Sequence, residues 1–240
     1  MATPSLTTHA NHTTPHNATS YYTMINEITL QAGETRELVF INEPNTNWHI
    51  VQQADSSLRI HIFFLSETQT DAQWQSTITV EQNGTACRTE IYAMGMLHQT
   101  QYALLRTRVH HNIGGGYSSQ MLKFVLDDHA KAAFHGELKI LPHAQQTEAY
   151  QTNRNILLSR QADMLTEPQL EIYADDVKAS HGATTGQLDE SALFYMQQRG
   201  ISRDTASKLL LEAFFEDIIT TLSDLQQQEQ IRDTLHRIYK

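Results

Sequence analysis

Residues 169–187 read QLEIYADDVKASHGATTGQ, and two strand patterns separated by a turn account for them. In the first pattern, Leu170 and Ile172 alternate with polar neighbours, as side chains do on the two faces of a strand. The two adjacent aspartates that follow are typical of a turn. In the second pattern, Val177 and Ala179 share one face. The segment therefore predicts two strands joined by a short connection.

The chain from residue 22 to 159 repeats this alternation in a series of short segments. Ile60, Ile62 and Phe64, for example, fall on one face of a predicted strand. Asn83-Gly84 is the strongest turn signal and indicates a tight, hairpin-like reversal. No helical pattern intervenes, which excludes doubly wound and (β/α)₈ architectures. The periodicity leaves a sandwich, a jelly roll and a β-solenoid as alternatives.

After residue 187 the apolar period changes from two to about 3.6 residues, which indicates helices. Asp189 is predicted to cap a short helix that ends before Gly200. Ser202 is predicted to cap a second helix over residues 203–222, whose apolar stripe is wide. A last helix is predicted over residues 224–239. The chain thus divides into a β-rich core and a helical C-terminal region.

Composition restricts the class of protein. Hydrophobic residues make up 40% of the 240-residue chain, which is ordinary for a globular protein, and the net charge of −10 disfavours nucleic acid or an anionic membrane as partner. No apolar run approaches the ~20 residues of a membrane span, and no secretory signal is visible. The expected location is the cytoplasm. Cys87 is the only cysteine, so neither an internal disulfide nor a Cys-only metal site is available.

Three domains are expected from these patterns. Residues 1–20 are rich in Thr, His and Asn with almost no large apolar side chains, and such a segment is predicted to be a disordered tail. Residues 21–188 form the predicted β core. Residues 189–240 form the predicted helical region.

Three segments together resemble a known family: EAYQTNRNILLS at 148–159, ADDVKASHGATTGQ at 174–187 and LFYMQQRGIS at 193–202. The chain resembles the SufB/SufD scaffold family of the SUF iron–sulfur cluster assembly system, and the SufD branch in particular. The resemblance implies a mainly β fold, a right-handed parallel β-helix with two packed sheets, and a C-terminal α-helical region. Full SufD proteins also carry an N-terminal helical domain, whereas no helical pattern precedes residue 22.

The resemblance also implies a function. The expected function is that of a non-catalytic scaffold subunit that pairs with a SufB-like subunit or with a second copy of itself. Its C-terminal helices would dock the ABC-type ATPase SufC, and the chain itself shows no phosphate-binding Gly-x-x-x-x-Gly-Lys-Ser/Thr loop. No tightly bound cofactor is expected in the isolated chain, but transient iron or an iron–sulfur cluster is expected at the subunit interface. The predicted docking anchors are Leu210, Leu211, Phe214 and Phe215.

His181 is the sharpest candidate for chemistry. The matching histidine of SufD lies near the interface with SufB, and a neutral imidazole can ligate iron. The alternative is a histidine that serves packing alone. SufD sequences often carry a cysteine where this chain has Ala179, so the chain offers at most part of a ligand set. Cys87, in an earlier strand, is interpreted as a small buried hydrophobe.

Other polar groups favour structural interpretations. His110 and His111 are adjacent in a predicted strand and must point to opposite faces, so they cannot chelate one ion. The glycines at 114–116 indicate a tight corner, since no strand-to-helix context suits a phosphate loop. The aspartate pairs at 127–128 and 175–176 could hold calcium, but turns are the simpler interpretation.

Two other functional classes remain open on sequence alone. One is a β-helix enzyme that acts on polysaccharide through these aspartates and a basic residue such as Arg154 or Lys178. The other is a metal-free structural protein that associates with itself.

Overall fold

The computed structural model describes residues 25–68 and 71–239, so the predicted N-terminal tail lies outside the described residues. A series of strands is followed by helices. The strands are β1 Asn26–Leu30, β2 Thr35–Ile41, β3 Thr46–Gln52, β4 Ser57–Leu65, β5 Gln73–Gln82, β6 Arg88–Leu97, β7 Tyr102–His111, β8 Tyr117–Leu126, β9 Lys131–Ile140, β10 Thr147–Leu157, β11 Asp163–Ile172 and β12 Val177–Gly186. The helices are α1 Glu190–Gln197, α2 Arg203–Ile219 and α3 Leu225–Ile238.

Consecutive strands alternate between two six-stranded sheets. The odd-numbered strands form one sheet in the order β1-β3-β5-β7-β9-β11, and the even-numbered strands form the other in the order β12-β10-β8-β6-β4-β2. Every pairing is parallel, as in β4 with β6 and β5 with β7. A chain that adds one parallel strand to each sheet per coil is a β-solenoid. The expected parallel β-helix is confirmed, and the sandwich and jelly roll are excluded.

The main hydrophobic core lies between the two sheets. Parallel pairing in register places equivalent residues of successive coils above one another, as it does for Ile60 and Ile91. Both are fully buried. The rings of Phe64 and Phe124 stack two strands apart, with their centroids separated by 6.2 Å. The predicted inward face of the Ile60–Phe64 strand is therefore correct.

The predicted reversal at Asn83-Gly84 is not a hairpin. The strands on either side, β5 and β6, belong to different sheets, so this segment is a solenoid corner. A Cβ atom on Gly84 would approach Ala54 N of the preceding coil to 2.0 Å. The glycine is therefore required by the close stacking of corners, and local turn propensity alone could not distinguish the two cases.

The glycines at 114–116 form the corner between β7 and β8, as predicted. A Cβ atom on Gly114 would lie 2.4 Å from Gln145 O in the next coil. Gly115 has a φ of 75°, in the left-handed region, and its N–H donates to the same Gln145 carbonyl at 2.8 Å. These glycines serve the corner.

Strand β11 begins at Asp163, six residues earlier than the pattern around Leu170 indicated. Pro168 lies within it and weakens the sequence signal. Because β11 is the edge strand of its sheet, a residue without an N–H is tolerated there.

The helix caps follow the sequence. The side chains of Asp189, Ser202 and Asp224 accept hydrogen bonds from backbone N–H groups in the first turns of α1, α2 and α3. Gly200 has a φ of 83°, which suits its position after α1. Among the described residues, no helix combines the length and hydropathy that crossing a membrane requires.

The helices pack on the outer face of the even-strand sheet. A second buried cluster joins outward-facing residues of β4, β6 and β8, such as Phe63 and Met94, to Leu211, Phe215 and Ile218 of α2. Helix α3 covers α2 and adds Ile231 and Leu235 to the same cluster.

A buried polar contact reinforces this packing. Lys123 of β8 is 4% exposed, and its Nζ donates to both carboxylate oxygens of Asp217 at 2.7 Å and to Phe214 O at 2.6 Å. The ammonium also lies 4.8 Å from the centroid of the Phe214 ring. Helix α2 is therefore fixed to the solenoid by apolar burial and by a charge-assisted contact.

Candidate functional site

The solenoid ends in two strands that each have a neighbour on one side only, β11 and β12. Large apolar side chains are exposed at this end: Leu165 is 48% exposed, Ile172 is 42% exposed and Tyr173 is 58% exposed. Unpaired strand edges with apolar side chains are templates for pairing with another chain. This open end is the candidate functional site.

His181 lies near the middle of β12. It occupies the inner-face row of Val177 and Ala179, as the sequence predicted, and those two residues pack against the main core. His181 itself is exposed because, in the described part of the chain, no further strand covers it. Its ring makes no hydrogen bond or ion pair with any residue that the structure describes. An accessible imidazole at an open coil can accept a ligand from a partner.

The residues stacked beneath His181 become polar toward the open end. Register places Ile91, Gln120, Gln151 and His181 in one inward-facing column. Gln120 Oε1 accepts from Thr107 Oγ1 at 2.6 Å, whereas neither amide atom of Gln151 has a partner among the described residues. Gln151 is only 1% exposed. A buried, unpaired polar group costs about 1–3 kcal/mol, and at Gln151 both amide atoms are in that state.

Sequence reasoning missed Gln151. The residue lies in the EAYQTNRNILLS segment, 30 positions before His181, and only the register of β10 with β12 brings the two side by side. The spacing of about 30 residues between inward-facing positions of successive even strands was the signal that could have found it.

A buried hydrogen-bond network supports the same coil. Asn155 Nδ2 donates to Asn153 Oδ1 at 2.7 Å and to Thr185 Oγ1 at 3.2 Å. Thr166 Oγ1 donates to Asn153 Oδ1 at 2.9 Å. These contacts connect β10, β11 and β12, so polar side chains add to the core packing of Val177 and Ala179 in holding the strand that carries His181.

The site does not contain a complete set of metal ligands. Among residues 25–68 and 71–239, no group of three or more His, Cys, Asp or Glu side chains could hold a metal ion. Ala179 provides no donor. Cys87 is buried in the corner before β6, where its thiol lies 3.2 Å from the Gln53 and Gly84 carbonyl oxygens. Its predicted role as a buried, structural residue agrees with this position.

His110 and His111 point to opposite faces, as predicted. His111 is buried beside Ser118, with Nε2 2.8 Å from Ser118 Oγ, and burial lowers its pKa to about 4. His110 lies on the outer face between Glu81 and Glu137, at 2.8 and 3.0 Å. The hydrogen bond to Glu81 raises the pKa of His110. The pair cannot chelate one ion.

The groups proposed for a polysaccharide enzyme are not brought together. Asp127-Asp128 lies in the corner between β8 and β9, whereas Asp175-Asp176 lies in the corner between β11 and β12. One corner leads from the even to the odd sheet and the other leads back, so the two pairs occupy opposite edges of the solenoid. Lys178 Nζ is 2.8 Å from Glu148 Oε1 on the outer face, and Arg154 is exposed.

The predicted docking anchors on α2 differ in accessibility. Leu211 and Phe215 are 3% and 0% exposed because they face the solenoid, whereas Leu210 and Phe214 are half-buried. Other apolar side chains of α1 and α2 are more exposed: Phe194 (62%), Tyr195 (58%) and Leu209 (43%). The helical region therefore presents an apolar surface, but its exposed members are mostly not the residues that the helical stripe indicated.

Comparison with known proteins identifies the family. Residues 5–214 match the family model for the SUF system FeS cluster assembly SufBD core domain. The chain is 33% identical over 177 residues to the iron–sulfur cluster assembly protein SufD of Escherichia coli, covering 74% of this chain and 41% of that protein. It is 31% identical over 207 residues to the SufBD family protein slr0076 of Synechocystis, covering 81% of this chain and 46% of the relative.

A chloroplastic relative, ABCI7 of Arabidopsis thaliana, is 34% identical over 157 residues, which cover 65% of this chain and 33% of the relative. The chain thus spans less than half the length of these relatives. The family model covers most of the chain, including the solenoid and its open end. The chain belongs to the SufBD core family of the SUF iron–sulfur cluster assembly system, with SufD proteins among its similar relatives.

Proposed function

We propose that the chain acts in iron–sulfur cluster assembly as a non-catalytic scaffold subunit of a SUF complex. The observation that carries the proposal is an exposed histidine, His181, on the last strand of an open-ended solenoid in a chain of the SufBD family. Relatives named as iron–sulfur cluster assembly proteins support the process. A cytoplasmic location is part of the proposal.

The open end is the proposed pairing surface. The unpaired edges of β11 and β12 would continue into the sheets of a SufB-like subunit or of a second copy of this chain. Main-chain hydrogen bonds along two edges would give affinity, and the exposed Leu165, Ile172 and Tyr173 would be covered on association.

His181 is the proposed contribution of this chain to a transient site for iron or a nascent cluster. Because the position of Ala179 lacks a thiolate and no complete ligand group exists among the described residues, the partner would supply the remaining ligands. The cluster is then cargo that rests at the interface. The amide network would hold β12, the strand that carries the imidazole, through Thr185.

The helical region is the proposed docking surface for an ABC-type ATPase. Phe194, Tyr195 and Leu209 offer exposed apolar area, with Leu210 and Phe214 at its margin. Leu211 and Phe215 would instead hold α2 on the solenoid. A displacement of α2 by the ATPase would reach the even-strand sheet through Lys123 and its contact with Asp217.

An anaerobic pull-down from the native host, followed by mass spectrometry, tests the scaffold proposal. Recovery of an ABC-type ATPase and a SufB-like protein, or of a second copy of this chain with the ATPase, supports it. Recovery of this chain alone refutes it.

A matched pair of variants tests the role of His181. His181→Ala is expected to lower cluster formation by the purified complex while partner recovery stays unchanged. His143→Ala, at an exposed corner between β9 and β10, is the control and should behave as wild type. Unchanged cluster yield in His181→Ala would remove this residue from the mechanism.

A second pair tests the docking surface. The double variant Phe194→Ala and Tyr195→Ala is expected to lose the ATPase from the pull-down while it keeps the scaffold partner. Leu225→Ala, which removes a 73% exposed leucine at the start of α3, is the control. If the double variant retains the ATPase in full, docking lies elsewhere.

A further inference from the structure

A charged trough crosses the outer face of the odd-strand sheet, on the side of that sheet facing away from the core. It has a volume of about 420 Å³. Its floor is the backbone of Thr107 in β7, Gly136 in β9 and Pro168 in β11, which are neighbours in register. The trough therefore runs across three strands, and its wall side chains are not among those proposed for cluster assembly.

Two rows of outward-facing side chains form the walls. One row consists of Arg106, His135 and Glu167, and the other consists of Arg108, Glu137 and Gln169. Each row follows from the parallel register, which stacks one residue of β7, β9 and β11 in line.

Of the cationic side chains in these walls, one has no acidic partner among the described residues. His135 Nδ1 is 2.6 Å from Glu167 Oε2, and Arg108 Nε is 3.5 Å from Glu137 Oε2. The other oxygen of Glu137 contacts His110 at 3.0 Å. Arg106 has no hydrogen bond or ion pair with any residue in the described part of the chain. A half-buried guanidinium without an acceptor is available for an anionic ligand.

The trough also has a direction. The β7 end carries Arg106 and Arg108, two positions apart on one strand face, with Cα atoms about 6.6 Å apart. The β11 end carries Glu167, which is 58% exposed in its side chain and whose Oε1 atom has no partner among the described residues. Strands β7 and β11 are two strand spacings apart, or about 9.5 Å. Positive charge at one end and negative charge at the other complement a ligand with opposite ends.

We propose that this trough binds a small zwitterion of the amino acid or short peptide class. The ligand's carboxylate lies between Arg106 and Arg108 and accepts hydrogen bonds from their guanidinium N–H groups. Its ammonium group donates to Glu167 Oε1. The site includes β11, an edge strand of the open end, but its side chains lie on the outer face of the odd-strand sheet, away from His181, and it does not depend on the proposed function in cluster assembly.

Calorimetric titration of the full chain with triglycine tests the site, because an extended tripeptide has a length similar to that of the trough. Two blocked forms separate the ends: N-acetyl-triglycine lacks the ammonium and triglycine amide lacks the carboxylate. Each is expected to bind at least about tenfold more weakly than triglycine, since each loses a charge-assisted hydrogen bond. A titration with glycine shows whether a free amino acid binds more tightly than the tripeptide.

Variants assign the two ends. Arg106→Gln is expected to weaken triglycine binding about tenfold and to abolish the difference between triglycine and its amide. Glu167→Gln should abolish the difference between triglycine and its N-acetyl form. Arg160→Gln, at an exposed turn between β10 and β11, removes the same charge elsewhere and should bind as wild type. Thermal unfolding of each variant verifies that it is folded.

Three outcomes overturn the proposal. These are the absence of triglycine binding at millimolar concentration, equal affinity for all three forms, and binding by inorganic phosphate that matches triglycine and is lost in Arg106→Gln. The last would show a general anion site with no role for Glu167.

Discussion

Truncation of Phe215 should separate the structural face of α2 from its exposed face. Phe215 is fully buried in the cluster between α2 and the even-strand sheet, and its ring lies 5.2 Å from that of Phe214. A buried phenylalanine side chain accounts for about 150–250 Å² of surface, which at about 25 cal/mol per Å² corresponds to about 4–6 kcal/mol. Partial relaxation around the cavity brings the expected loss for Phe215→Ala to about 3–5 kcal/mol of unfolding free energy.

The assay is urea denaturation followed by circular dichroism, with hydrogen exchange of the α2 amides as a local measure. If α2 detaches before the solenoid unfolds, the loss appears first in the exchange of those amides. Phe194→Ala is the matched control: because Phe194 is 62% exposed, its removal should change the unfolding free energy by less than about 0.5 kcal/mol. A Phe215→Ala protein with unchanged urea midpoint and unchanged α2 exchange would refute the packing of this helix on the solenoid.

Three further predictions concern the stability of the solenoid. Gly84→Ala should lower the melting temperature strongly, because the added Cβ atom would lie 2.0 Å from Ala54 N. Gly182→Ala should leave the melting temperature nearly unchanged, because no atom lies within 4 Å of the added Cβ. Equal melting temperatures of the two variants would contradict the corner geometry. Burial lowers the pKa of His111 from 6.5 to about 4, so as the pH falls the unfolded chain protonates this histidine before the folded chain does. This group alone should therefore lower the unfolding free energy by about 3 kcal/mol as the pH drops from 6.5 to 4. Burial also lowers the pKa of His61 to about 4, so His61 contributes a fall over the same pH range. His111→Gln should therefore remove about 3 kcal/mol of the total fall and leave the share of His61, and an unaltered slope would show that His111 does not contribute. Asp217→Asn should lower the unfolding free energy by about 1–3 kcal/mol because it removes the counter-charge of the buried Lys123. Lys123→Met should lower it by less, because it leaves no buried charge unpaired. A larger loss for Lys123→Met than for Asp217→Asn would argue against the buried pair.

The strand and helix content of this protein, and the starts of its helices, followed from local sequence, whereas α2 ends at Ile219, three residues before the predicted end at 222. Alternation at Ile60–Phe64 and the capping side chains of Asp189 and Ser202 act within a few residues, so they can be recognised without knowledge of the fold. The inner-face position of His181 followed for the same reason, because side chains alternate strictly along a strand.

The tertiary structure alone decided which strands are neighbours. Asn83-Gly84 has the same local chemistry in a hairpin and in a solenoid corner, and only the stacking of Gly84 on Ala54 of another coil distinguishes them. The same long-range register placed Gln151 beneath His181 and aligned Arg106 with His135 and Glu167. The packing of α2 on the even-strand sheet likewise decides that Phe215 faces the solenoid, since a wide apolar stripe does not specify which part of a helix contacts the sheet. Contacts between residues about 30 positions apart depend on the length of each coil, which local patterns do not fix.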